Sequence, residues 1–251
     1  MCRGNEEGNV KLTVLGKYGP YGKAGVGAAS GYLIEDGDFR LLCDMGSGVM
    51  SRLISIADVR TLSGVFISHL HYDHTSDLLS FRYLLDELKY PIKIFTHKEE
   101  NNPYYDILFD SQYFEMVYID EDTQLTVDGV KMEFFKMSHD VPDYAVKLTG
   151  SGTIMYTGDT TFNDEIIKGG RGCDYILADC SKPDVFIGAH MRSEYAFEIR
   201  KKTGAEIIAT HLAPDFCPDK LFCGAEGITI AEEGRTYRTE DAKCLKNANN
   251  A

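Results

Sequence analysis

The chain lacks any apolar stretch of the eighteen or so residues that a membrane-spanning helix needs. Its start, Met1-Cys2-Arg3-Gly4-Asn5-Glu6-Glu7, has no apolar segment of the signal-peptide kind. These absences predict a cytoplasmic protein with no membrane partner. Positive charge is scarce, with 26 Lys plus Arg against 39 Asp plus Glu and a net charge of −13. That balance argues against a broad electrostatic footprint for nucleic acid or an anionic membrane, although a local basic rim is compatible with it. Seven cysteines, at 2, 43, 173, 180, 217, 223 and 244, include no Cys-x-x-Cys pair and make no even disulfide framework. They read as buried small hydrophobes or surface thiols, with Cys217 and Cys223 a chance neighbouring. Low-complexity segments and short-period repeats are also missing, and no linker-like composition precedes a polar tail from about Glu232.

What is present is a run of short strand signals. Val10 to Leu15, Gly31 to Glu35, Phe39 to Cys43, Val65 to Ser68 and Ile92 to Thr96 are apolar and β-branched or aromatic. Asp36-Gly37 and Asp128-Gly129 mark hairpins, the second between Gln124–Val127 and a strand from Val130. A third hairpin joins Tyr144–Leu148 to Thr153–Tyr156, and strands follow at Tyr175–Ala178 and Glu206–Thr210 with a helical stretch, Ser193 to Thr203, between them. Helices after strands in both halves, with hairpins within each half, fit two packed sheets covered by helices better than a doubly wound parallel sheet. The 251 residues are read as a single domain, 1–251, with a core at about 10–215.

The densest signal is His69-Leu70-His71-Tyr72-Asp73-His74, between the strand Gly64–Ser68 and an amphipathic helix over Asp77–Leu88. Three imidazoles and a carboxylate on a strand-to-helix turn read as a dinuclear metal site, because the turn lets His69 and His71 face one ion while Asp73 and His74 face another. Imidazole and carboxylate suit zinc first, with manganese or iron as alternatives. Two ions need further ligands. His139 after the strand from Val130, Asp159 after Ile154-Met155-Tyr156, and His211 after Ile207-Ile208-Ala209-Thr210 all lie just past strand ends, so they are the candidates.

In this order the hexapeptide, His139, Gly158-Asp159 and His211 resemble the metallo-β-lactamase fold superfamily, over roughly residues 10 to 215. The resemblance implies a four-layer αβ/βα sandwich of the α/β class with metals at one edge. It would place His69, His71 and His139 on the first ion and Asp73, His74 and His211 on the second, with Asp159 bridging. Asp44 matches the superfamily's early aspartate, which supports the site from behind. The segment Ala189-His190-Met191-Arg192 with Ile207–Pro214 looks like the ribonuclease Z and related phosphodiesterase branch, where the histidine matching His190 protonates the leaving oxygen. Asp179 stands where that branch has a supporting glutamate, a departure that shortens the carboxylate's reach by one methylene.

Ribonuclease Z carries a long tRNA-gripping arm between the positions of His139 and Asp159, where this chain has nineteen residues, enough for one hairpin. With the acidic balance, that makes structured tRNA a disfavoured partner. The expected activity is a dinuclear-metal phosphodiesterase acting on a cyclic nucleotide or short oligonucleotide. Asp73 would orient the attacking water, and Asp73 and Asp159 would leave two divalent ions about two net positive charges with which to activate it. Lys17 and Lys23, in the Gly-rich segment 16–27, are candidate phosphate contacts on a lip, or else part of a plain connection. Alternatives are tRNA 3′-processing and a thioester or lactone hydrolase on the same metals; a non-enzymatic metal binder would lose an open coordination position or His190. His97 reads as part of a surface strand-to-helix connection. The sequence leaves the oligomeric state open, a homodimer included.

Overall fold

The computed structural model describes residues 9–25, 27–181, 189–216 and 219–248. One mixed sheet contains β1 (Lys11–Gly16), β2 (Gly31–Asp36), β3 (Phe39–Cys43), β4 (Gly64–Phe66), β5 (Ile92–Thr96) and β6 (Phe114–Tyr118). The other contains β7 (Gln124–Val127), β8 (Val130–Lys136), β9 (Tyr144–Thr149), β10 (Thr153–Tyr156), β11 (Tyr175–Asp179), β12 (Glu206–Thr210) and β13 (Ile228–Ile230). A last strand, β14 (Thr236–Arg238), returns to the first sheet beside β1. The helices are α1 (Val49–Ile56), α2 (Tyr72–Thr75), α3 (Leu78–Leu88), α4 (Pro103–Phe109), α5 (Asp164–Gly170), α6 (Tyr195–Thr203), α7 (Asp219–Phe222) and α8 (Thr239–Ala248). No helix among the described residues is long and apolar enough to cross a membrane.

Side-chain alternation explains the layers. Leu12, Val14, Tyr32, Ile34, Leu41 and Phe66 point inward to meet Met132, Phe134, Val146, Leu148, Tyr156 and Leu177 of the opposite sheet. Their neighbours Leu33, Leu42, Val65 and Ile94 point outward and pack beneath α1, α3 and α4, where Val49, Leu53, Phe81, Leu85 and Leu108 are buried. Met155, Ile176, Ile207 and Ala209 do the same beneath α5 and α6, against Ile166 and Ile199. Strands apolar on both faces are what a sheet needs when it is sandwiched between a helix layer and a second sheet. Each buried Leu, Ile or Phe contributes about 1.5–3 kcal/mol relative to exposure. The expected αβ/βα sandwich is therefore present.

Two expectations change here. The polar segment from Glu232 is no tail: β14 pairs Leu12 with Tyr237, which is buried, and Ala242 of α8 is buried as well. An edge strand needs only one apolar face, so two or three buried residues in a polar run suffice and leave little pattern. His97 is also not at the surface; it is buried against Tyr144 and bonds Glu99 Oε1 through Nε2 at 2.8 Å. Cys43, Cys173 and Cys180 are buried, and Cys223 and Cys244 exposed, while Cys2 and Cys217 lie outside the described residues.

Strand direction positions the site. β3, β4 and β5 are parallel, as are β10, β11 and β12, and β8 runs the same way as β10 because both pair antiparallel with β9. Asp44, the hexapeptide, His139, Asp159 and His211 all follow the C-terminal ends of these strands, so they gather at one edge of the sandwich.

Candidate metal centre

The hexapeptide turns where β4 stops. Ser68 ends the strand by donating its N–H and hydroxyl to the two carboxylate oxygens of Asp44, at 2.8 and 2.7 Å. His69 and His71 lie on the extended approach, and Asp73 and His74 on the single turn of α2, which Thr75 Oγ1 ties back to His71 O at 2.9 Å. Two groups of donor atoms result, each within 4.8 Å: His69, His71, His139 and Asp159, and then Asp73, His74, Asp159 and His211. These are the seven ligand candidates of the sequence, with Asp159 in both groups.

Hydrogen bonds on the outer sides of the rings decide what faces inward. His69 Nδ1 lies 2.6 Å from Asp143 Oδ2, His74 Nδ1 2.7 Å from Asp44 Oδ2, and His139 Nδ1 2.8 Å from Ala189 O. Each outer nitrogen donates to an oxygen, so each inner nitrogen presents a lone pair. Those inner atoms crowd other acceptors. His71 Nδ1 stands 3.1 Å from both His69 Nε2 and His139 Nε2, of which a single N–H could serve only one, and His74 Nε2 stands 3.3 Å from Asp159 Oδ2. Lone pairs at such separations repel unless a cation lies among them, and N···N edges near 3 Å are what ligand bonds of about 2.0–2.1 Å produce. His74 Nε2 and Asp159 Oδ1 are moreover buried with no hydrogen-bond partner among the described residues. The donor set fits divalent ions.

The charge distribution gives the same answer. Burial works against a charged His74, yet the carboxylates of Asp159, Asp73 and Asp44 outweigh it and raise its pKa well above the usual imidazole value. Burial together with neighbouring His74 lowers His69 well below that value. His71 is lowered as well, by burial first, and His211 is raised by Asp159 and Asp73 against its burial, so His69 and His71 disfavour a proton while His74 and His211 call for positive charge, both of which a metal ion satisfies.

Asp143 escaped the sequence reading. Fully buried, it takes His69 Nδ1 on Oδ2 and accepts the Asp159 N–H at 3.2 Å, so it braces a ligand of each sheet. Its place four residues after His139, before a strand, was the available signal. Gly158 makes room for it: at φ +61° a Cβ would fall 2.4 Å from Asp143 Oδ1. Asp44 behaves as expected from behind, and Tyr156 also donates to its Oδ2 at 2.6 Å. Asp44 and His211 both adopt left-handed backbone, with φ of 59° and 53°, a cost typical of functional sites.

His190 and Asp179 do meet, despite the short carboxylate: Nδ1 donates to Oδ2 at 3.0 Å. Burial opposes the charged ring, but the Asp179 hydrogen bond and charge prevail and push its pKa up to about 9. The ring is stacked on His211, with centroids 4.8 Å apart, and lies 5.2 Å from His139. Asp159, Asp179, His190 and His211 form a third group of donor atoms within 4.8 Å. The lysine expectations fail for Lys17, whose Nζ donates to Ala231 O at 2.7 Å to hold the C-terminal segment. Lys23 is exposed, and Val26 of the same segment lies outside the described residues. What does reach the metal centre from the Gly-rich segment is Gly19, where a Cβ would fall 1.9 Å from His211 Nε2.

Residues 39–212 match the family described as beta-lactamase superfamily domain. The probable metallo-hydrolase YhfI of Bacillus subtilis (strain 168) is 31% identical over 214 residues, 81% of this chain and 87% of that protein. The chain belongs to the β-lactamase superfamily. The crystal structure of YhfI, a metallo-β-lactamase fold protein, matches with a TM-score of 0.84 and 30% identity, covering 92% of this chain and 99% of that one. At 17% identity, two other solved structures share the fold. A diphosphatase of the PhnP family has a TM-score of 0.75, over 91% of this chain and 97% of that one. Human tRNase Z, short form, has a TM-score of 0.72, over 90% and 98%. Superfamily membership and the inward-facing acceptors together make this chain a metal-dependent hydrolase with a His/Asp cluster able to hold metal ions.

Proposed function

We propose that this hydrolase is a phosphodiesterase with two divalent ions, zinc by the chemistry of its imidazole and carboxylate donors, acting on a cyclic nucleotide or short oligonucleotide. The observation that carries the reading is the His190–Asp179 pair, at 3.0 Å, with the His190 ring stacked on His211 of the second ligand group. Expelling a ribose oxygen from phosphorus requires a proton on the leaving atom, and His190, oriented through its Nδ1 by Asp179, would supply it. Asp179 is fixed in turn by the N–H groups of Thr160 and Ser181, both at 3.1 Å, so the ring has little freedom. Bound divalent ions would polarise the phosphoryl group and make a nucleophile available near neutral pH. Asp73, with Oδ2 3.1 Å from His211 Nε2, would orient the attacking water. His190 would then give its proton to the departing oxygen as the P–O bond breaks. The residues between His139 and Asp159 build only the β9–β10 hairpin, which supports a small or unstructured substrate over folded tRNA.

The test is the His190→Ala variant. A diester with a poor alkoxide leaving group should slow by on the order of 10² to 10⁴ while one that expels nitrophenolate barely changes, since nitrophenolate departs unprotonated. Metal content should stay at the wild-type level; its loss would make His190 a ligand, in keeping with the third donor group. Efficient turnover of a thioester with every diester inert would replace this reading with the thioesterase one.

A further inference from the structure

Six carboxylates surround the metal centre, and one differs from the rest. The side chain of Asp140 is 63% exposed, against 8% or less for Asp44, Asp73, Asp143, Asp159 and Asp179. It follows His139 in the turn from β8 to β9, and its Oδ1 lies 3.1 Å from His139 Nε2 and 3.7 Å from His71 Nε2. His71 is itself 37% exposed, so this is the open side of the first ligand group. An uncovered negative charge therefore stands where an incoming phosphoryl group would approach. Among the described residues no Lys or Arg pairs with it, its ion pairs being to His139 and His71. The other carboxylates have evident work as ligands or as braces for His69, His74 and His190. Asp140 has neither.

We propose that Asp140 selects the charge of the phosphoryl group, admitting a diester with one negative charge and turning away a monoester with two. The inference rests on the phosphodiesterase reading for its meaning. Hydrolysis adds water across one P–O bond, freeing an alcohol and leaving a monoester whose second acidic proton is lost at neutral pH. Repulsion from Asp140 then falls about twice as hard on the product as on the substrate. Product release is favoured, and free phosphate and nucleoside monophosphates bind the site less tightly.

Calorimetric titration of metal-loaded protein with methyl phosphate and with dimethyl phosphate at pH 8 tests this without turnover. Asp140→Asn should bind methyl phosphate about five- to tenfold more tightly and dimethyl phosphate about twofold or less, a gap that narrows as salt rises because the charge is exposed. Asp140→Ser, which removes the charge with a different shape, should do the same. Equal gains for both probes, no gain for methyl phosphate, or loss of metal in the variants would each overturn the proposal, the last by making Asp140 a ligand. Diester hydrolysis by the wild type, measured separately, decides the phosphodiesterase reading, so either can fail without the other.

Discussion

The first sheet delivers His69, His71, Asp73 and His74 from the end of one strand, whereas the second delivers His139, Asp159 and His211 singly, from the ends of β8, β10 and β12. The concentrated set depends on a local turn, pinned by Asp44 on Ser68 and His74. The dispersed set depends on the register of a whole sheet, because each ligand arrives only if its strand ends level with its neighbours. Asp159 and Asp143 join the two arrangements, the one as a donor to both groups and the other as a brace from the second sheet onto His69.

The hardest blow to this comparison is Asp159→Ala, which removes a donor from both groups. Elemental analysis should fall from about two equivalents toward none, with affinity reduced by more than the roughly 100-fold that losing a ligand's supporting partner costs. A variant that keeps one tight equivalent would show that the groups are independent and that Asp159 does not bridge.

Next in size is the pair Asp143→Asn and Asp44→Asn. Each should weaken one ion by about 10–100-fold, the first ion through His69 and the second through His74. A metal-competition titration with a chromophoric chelator, resolving two binding steps, would sharpen the comparison if the variants weaken different steps. If both weaken the same step, the division into two ligand groups is wrong.

Gly19→Ala is a gentler probe of the second group. Its new Cβ would press on His211 Nε2, the donor atom, so the second ion should bind more weakly while the thermal midpoint of chelator-treated protein moves little. Binding unchanged within error would show that the loop yields instead. The smallest effect is expected for Lys17→Ala, which loses one hydrogen bond to Ala231 O and about 1 kcal/mol of stability, read by urea unfolding. Its KM for any phosphodiester should stay within about twofold, since the ammonium is taken up by the Ala231 carbonyl.

The same division explains what could be read from the residues. A cluster of His69, His71, Asp73 and His74 in six positions is visible because it is local, and His139, Asp159 and His211 follow from one rule about strand ends. The two packed sheets were legible because helices follow strands in both halves while hairpins such as those at Asp36-Gly37 and Asp128-Gly129 lie within each, and the αβ/βα layering came with the family resemblance. Asp143 was not, because its partner His69 lies seventy-four positions away and nothing in Pro142-Asp143-Tyr144 differs from an ordinary turn. Lys17 failed for the opposite reason: a lysine in a Gly-rich loop suggests phosphate, and only the return of the chain at Ala231 shows that it caps a carbonyl. Strand β14 and helix α8 stayed hidden because Tyr237 and Ala242 are too few to set a period.

That returning strand also bears on how the chain acquires its shape. β1 is bordered by β2 on one side and by β14 on the other, the latter through Lys11↔Arg238, Leu12↔Tyr237 and Thr13↔Thr236. Contacts so distant in sequence close late, after the loops between them have paid their closure entropy. During synthesis β1 therefore leaves the ribosome with one row of N–H and C=O groups unpaired, and it stays so until Tyr237 emerges. Over that interval the exposed edge is open to pairing with another nascent chain, which makes the polar residues around Tyr237 the natural guard of the β1 edge against aggregation.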